Sequence, residues 1–200
     1  MKIKDMKQVV RMLQDEWNLG KKESKSEGNI CAWIYFMEIL EETEKFVYYR
    51  DRGKLIGLAG YSKDNSNKHF FRKKFYSFIK KQLYKSKKIK NLDGLKQYEN
   101  NYNYKPDELR NYFDGELSIL ILDKNYRGQG IGKKLLLKVF ELAKKDNMKK
   151  LQILTDESCS YQIYEKLGCK KIYETIVDNK EFEKYINTPK ERAFIYEKAL

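Results

Sequence analysis

The stretch Asn125-Tyr126-Arg127-Gly128-Gln129-Gly130-Ile131-Gly132-Lys133-Lys134-Leu135-Leu136 lies between a nearly continuous apolar run and a segment of helical periodicity. Leu117, Ile119, Leu120, Ile121 and Leu122 read as a strand with both faces covered. Ile131, Leu135, Val139 and Leu142 mark a helix that ends near Asp146-Asn147. The glycines between them fit neither common phosphate-binding register. Counted from Gly128, the last glycine of a G-x-G-x-x-G fingerprint falls on Lys133, and counted from Gly130 it falls on Leu135. A P-loop needs Ser or Thr after its lysine and a wider glycine spacing, whereas Lys133 is followed by Lys134. What remains is a loop of small residues leading straight into a helix, where successive N–H groups and the positive helix end converge on one point. A pyrophosphate fits there, with Arg127 and Lys133 adding charge and no metal required. Side chains at Gly130 and Gly132 would stand between the backbone and such an anion. A tight connection without a ligand is the alternative that this loop alone leaves open.

Downstream, Leu151 to Thr155 reads as a strand, Ser158 to Leu167 as a short helix stopped by Gly168, and Lys171 to Val177 and Ala193 to Glu197 as closing strands. Upstream, residues 5 to 17 form a first helix and about 30 to 44 a second, with 20 to 29 a polar loop between them. Phe46 to Arg50 and Lys54 to Tyr61 form a hairpin about Asp51-Arg52-Gly53. Residues 64 to 114 read as an inserted helical element, with Phe71, Phe75, Phe78, Ile79 and Leu83 as a helical stripe and further turns near 92 to 100 and 106 to 113.

The 200 residues, 41% hydrophobic and 36% charged, suit one packed domain spanning 1–200. No apolar run approaches the roughly 18 residues a membrane span needs, and the start MKIKDMKQVV lacks a signal's apolar core, so the expectation is a cytoplasmic protein with no membrane partner. Cys31, Cys159 and Cys169 show neither metal-ligand nor CxxC spacing, and read as reduced thiols without a metal site. The net charge of +13 is concentrated between Asp64 and Asp93, where there is no acidic residue.

Arg127-Gly128-Gln129-Gly130-Ile131-Gly132 resembles the R/Q-x-x-G-x-G/A signature of the GNAT superfamily of acetyl-CoA-dependent N-acetyltransferases. Glu116 to Leu122 is similar to that family's fourth strand, Tyr161-Gln162-Ile163-Tyr164-Glu165-Lys166-Leu167-Gly168-Cys169 to its "FYEKLGF" segment, and Phe194 to Lys198 to its last strand. The close match covers about 115 to 170. It implies an α/β fold with a mixed sheet, the 64–114 insertion between the third and fourth strands, and direct transfer of acetyl from acetyl-CoA to an amine of a small molecule or peptide.

The resemblance also implies roles for individual residues. Leu120, Ile121 and Leu122 would offer main-chain contacts to the pantetheine arm, and Arg127, Gly128, Gln129, Gly130, Ile131, Gly132 and Lys133 the pyrophosphate cradle. Where family members carry Asn before the tyrosine helix, this chain offers Ser158 or Ser160, and Ser160 is taken as the coenzyme contact. Tyr164 would be the general acid for the departing thiolate, since a thiol pKa of about 8.5 and a tyrosine pKa of about 10 make the transfer only slightly uphill. Glu116 would be the base acting through water. His69 and Cys159 are weaker candidates, read as a surface residue and a packing residue. Glu38, Glu41, Glu42 and Glu44 would lie near the acceptor and suit a cationic amine.

The lysine- and aromatic-rich segment 68–90 admits a rival reading as an RNA-binding surface, with membrane attachment ranked below it. Packing of its aromatics with lysines outside is the simpler account. A non-catalytic module that binds CoA or RNA is thus the alternative to the enzyme. Acceptor identity is not legible, and a homodimer is neither required nor excluded.

Overall fold

The apolar run is a central strand, as its two-sided hydrophobicity requires: β3 (Gly115–Leu122) lies third in a six-stranded sheet. A computed structural model describes residues 1–17, 24–64, 69–90, 96, 100, 104–178 and 190–200. The chain order is α1 (Ile3–Trp17), α2 (Lys25–Glu42), β1 (Lys45–Asp51), β2 (Lys54–Lys63), α3 (Phe70–Tyr84) and β3. There follow α4 (Ile131–Lys145), β4 (Lys150–Asp156), α5 (Gln162–Lys166), β5 (Lys170–Asp178) and β6 (Lys190–Ala199). The sheet order is β1-β2-β3-β4-β6-β5, with the β3–β4 pair parallel and its neighbours antiparallel.

The two faces of the sheet are covered by different helices. Val9 and Leu13 of α1 and Ile34, Phe36 and Leu40 of α2 pack with Leu58, Ile119 and Ile121 on one face. Leu135, Leu136 and Val139 of α4 pack with Ala59, Leu151, Ile153 and Phe194 on the other. The C-terminal end of α4 is tied to the hairpin: Tyr61 Oη and Lys45 Nζ donate to the Asp146 carboxylate at 2.7 and 2.6 Å, and Lys63 Nζ donates to Asp146 O at 2.6 Å. That anchorage fixes where the opposite end of α4 points.

Two sequence expectations are corrected. The second helix begins at Lys25 rather than near Ile30, because Ser24 caps it: its Oγ accepts from Glu27 N at 3.1 Å. A polar first turn thus passed for loop. The phenylalanines of the 71–83 stripe are not consumed by packing. Tyr76, Ile79, Leu83 and Tyr84 meet the α1–α2 core, while Phe70, Phe71, Phe75 and Phe78 are exposed. The turn expected near 106 to 113 appears as a 3-10 turn at Asp107–Leu109. The one expected near 92 to 100 falls largely outside the described residues.

β3 and β4 pair only at Gly115↔Leu151 and Glu116↔Gln152. β3 nevertheless stays paired with β2 out to Leu122, and β4 with β6 out to Asp156. The two strands therefore part above Glu116. Gly115 sits at the vertex, where a Cβ would stand 2.1 Å from Ser62 O and 2.6 Å from Met148 Cε. Backbone cannot yield as a side-chain tip can, so Gly115→Ala is expected to lower stability by about 3 kcal/mol, read as a lower urea midpoint.

Candidate active site

The gap between the parted strands is a cavity of about 380 Å3, within the roughly 300–1,000 Å3 typical of small-ligand sites. Leu117 to Leu122 form one wall, with Leu154 and Thr155 of β4 opposite. Residues of a strand point their N–H and C=O groups alternately to either side. Every second residue of β3 between 117 and 122 therefore presents its main chain to the cavity, where no strand pairs with it. Leu120, Ile121 and Leu122 lie on this wall.

At one end the cavity meets the N-terminus of α4. The first intrahelical bond runs from Lys134 N to Gly130 O at 3.1 Å, so the amides of Gly130, Ile131, Gly132 and Lys133 precede the helical ladder. Gly128 and Gly130 take left-handed backbone conformations, with φ of 77° and 73°, which side-chain-bearing residues rarely adopt. Arg127, Gly128, Gly130, Ile131, Gly132 and Lys133 all line the cavity. Gln129 is exposed and does not line it. The Arg127 guanidinium is ion-paired with Glu16 at the end of α1.

Of the two serines considered, Ser160 lines the cavity, whereas Ser158 Oγ donates to Asp156 Oδ1 at 2.5 Å. Tyr164 of α5 is also in the wall, 7% exposed, with its ring 5.8 Å from that of Tyr196. Burial, reinforced by the nearby Cys159, Cys169 and Asp156, pushes its pKa well above the usual tyrosine value, so its hydroxyl is protonated at physiological pH. Burial likewise raises the Cys159 thiol to about 11, which leaves little nucleophilic thiolate near neutrality.

Glu116 lies at the vertex rather than in the cavity wall. Gln152 Nε2 donates to its Oε2 at 3.0 Å. The residue keeps some exposed surface, but its carboxyl group is crowded: burial, then repulsion from Glu42, raises its pKa to about 8. The α2 acids divide accordingly. Glu42 acts on Glu116, Glu41 and Glu38 face Lys80 Nζ at 3.1 and 4.0 Å, and Glu44 faces His69 at 3.9 Å. Lys80 thus offsets much of the acidic face expected to greet a cation.

Sequence reasoning missed several residues. Glu16, Trp17 and Tyr35 line the cavity, with the Trp17 and Tyr35 rings edge to face at 5.6 Å. Nothing in an amphipathic helix marks its last turn as a cavity wall. Tyr104 was missed too. Its hydroxyl donates to Thr155 O at 3.2 Å and Phe194 O at 3.3 Å, pinning the segment before β3 across β4 and β6.

A mixed sheet opened between two parallel neighbours onto the amide end of a helix is the acyltransferase fold of the GNAT type. Residues 95–169 match the model of the Acetyltransferase (GNAT) family. The crystal structure of PH1933 from Pyrococcus horikoshii OT3 is similar over 100% of this chain and 94% of its own, at 18% identity and a TM-score of 0.57. A crystal structure described as an acetyltransferase is similar over 98% of this chain and 94% of its own, at 15% identity and a TM-score of 0.53. At such identities the likeness concerns the fold. No curated protein matches the chain at a significant level of sequence similarity.

Proposed function

We propose that this protein transfers the acetyl group of acetyl-CoA to a primary amine of a small molecule or peptide. The observation that carries the proposal is the joining of two features in one cavity: the unpaired edge of β3 and the amides of Gly130 to Lys133. The first suits an amide-bearing arm and the second a pyrophosphate. Bound there, acetyl-CoA supplies an activated thioester. Glu116, acting through water from the vertex, would take the proton that an ammonium must shed before its nitrogen can form the new C–N bond. Tyr164 would protonate the thiolate released as the C–S bond breaks. Gln152 holds the Glu116 carboxylate in place. It is 1% exposed, its Nε2 is spent on Glu116, and its Oε1 has no partner among the described residues.

Thiol release from acetyl-CoA with a panel of aliphatic and peptide amines tests the activity, and calorimetry of acetyl-CoA binding tests the site. Gly132→Ala separates cradle from scaffold. Gly132 has no left-handed φ, and a Cβ there would meet only Ile163 Cδ1, at 3.5 Å. Replacing a helical glycine with alanine should leave the melting temperature unchanged or raise it, by up to about 1 kcal/mol of stability. Affinity for acetyl-CoA should nevertheless fall about tenfold or more, as the methyl intrudes on the anion's approach. Unchanged affinity would remove the cradle, and absence of acetyl-CoA binding by the parent protein would remove the whole proposal.

A further inference from the structure

The outer face of α3 carries an apolar surface that the catalytic reading does not use. Phe71 is 85% exposed, Phe78 60%, Phe75 59% and Phe70 53%. Residues 71, 75 and 78 follow helical spacing, so their rings form one ridge along the side of α3 turned away from Tyr76, Ile79, Leu83 and Tyr84. Lys74, Lys81 and Lys85 are exposed beside this ridge, and no acidic residue occurs between Asp64 and Asp93. A contiguous exposed aromatic patch on a protein surface marks an interaction site. A helix with phenylalanines and lysines on one outer face has the composition of an interfacial element.

We propose that this face of α3 docks the protein on an anionic lipid surface, the phenylalanines entering the headgroup boundary and the lysines meeting lipid phosphates. Charge selects this occupant over a second copy of the chain, because each copy carries +13 and apposed α3 faces would bring their lysines together. Ring geometry at Phe70 disfavours RNA there. Base stacking needs an open ring face. At Phe70, however, Lys74 Nζ stands 4.4 Å from the ring centroid, and Phe71 packs against the ring in a T-shaped pair at 5.7 Å. A ridge of exposed phenylalanines flanked by lysines is suited to insertion at an anionic headgroup boundary. The contact is peripheral, since no helix among the described residues is long and apolar enough to cross a membrane.

Flotation of the full chain with phosphatidylcholine vesicles, and with vesicles containing about one third phosphatidylglycerol, tests this without reference to turnover. The parent should float with the anionic vesicles alone, and less so as salt rises. The doubly substituted Phe71→Ser, Phe75→Ser protein should partition on the order of tenfold less, with an unchanged melting temperature because both side chains are exposed. Lys81→Glu with Lys85→Glu should lose the preference for anionic vesicles by a separate route. Equal flotation of parent and serine variant would overturn the proposal. So would a parent dimer in sedimentation that the serine variant lacks, since a second copy would then cover the face. Phenylalanine-dependent binding of single-stranded RNA by a parent that ignores vesicles would overturn it in favour of nucleic acid.

Discussion

Replacing Tyr164 with phenylalanine is expected to lower kcat by about 10²–10⁴-fold, the usual worth of a positioned general acid. Thermal stability should stay near that of the parent. The ring is what packs, against Tyr196 and within the α4-side core, and phenylalanine keeps it. The hydroxyl is the part in question. Burial holds it protonated far into the alkaline range, which keeps the acid form ready but widens the gap from a thiol of about 8.5. The proton transfer remains workable because a thiolate released beside the buried hydroxyl is destabilised by the same desolvation, and its affinity for a proton rises with it. Two consequences can be measured as thiol release at saturating amine. The parent should show no alkaline loss of kcat attributable to Tyr164 below about pH 10, and affinity for acetyl-CoA should change little in the variant, since the hydroxyl acts on a charge that develops after binding. A kcat within a fewfold of the parent's would remove Tyr164 from the chemistry and leave it as a wall residue.

The legibility of this site in the sequence divides along the distance over which a residue's role is set. The strand, the glycine loop and the helix from Ile131 are continuous in the chain, and their roles follow from backbone physics that local sequence carries: two-sided burial, left-handed turns and orphan amides. The cavity itself is a tertiary event. It exists because β4 leaves β3 after two paired positions, and no residue pattern within either strand announces that divergence. Trp17, Tyr35 and Glu16 enter the site from helices remote in the chain, and Tyr104 braces the strand beside it by bonding to β4 and β6. The exposed phenylalanines of α3 show the complementary failure. Helical spacing of apolar residues indicates a face, but not that the helix has a second face already sufficient for packing. Tyr76, Ile79, Leu83 and Tyr84 supply that second face.

Glu116→Gln is expected to remove the rise of kcat with pH. With its pKa raised to about 8 by burial and by Glu42, the carboxyl is largely protonated at neutrality and becomes a base only as pH approaches and passes 8. The parent's kcat should therefore climb through that range and level off. The acceptor amine also sheds a proton as pH rises, which contributes a limb of its own to kcat/KM. Measuring kcat with amine and acetyl-CoA both saturating isolates groups that titrate in the bound complex. Glutamine preserves size and can still accept from Gln152 Nε2, so the geometry of the vertex survives while the titration does not. The rate should drop about 10²-fold or more at alkaline pH and lose its ascending limb. Stability carries an independent signature of the same shift. The folded protein holds the Glu116 proton up to about pH 8, whereas the unfolded chain releases it near 4.5. Glu116 therefore contributes stability that is fully present below about 4.5 and is lost as pH rises through about 8. The glutamine variant should lack that component, so its stability relative to the parent should improve from pH 5 to 8. A variant that kept both the kinetic limb and the parental pH dependence of stability would show that the titrating group lies elsewhere, and would direct attention to the acids around Glu42.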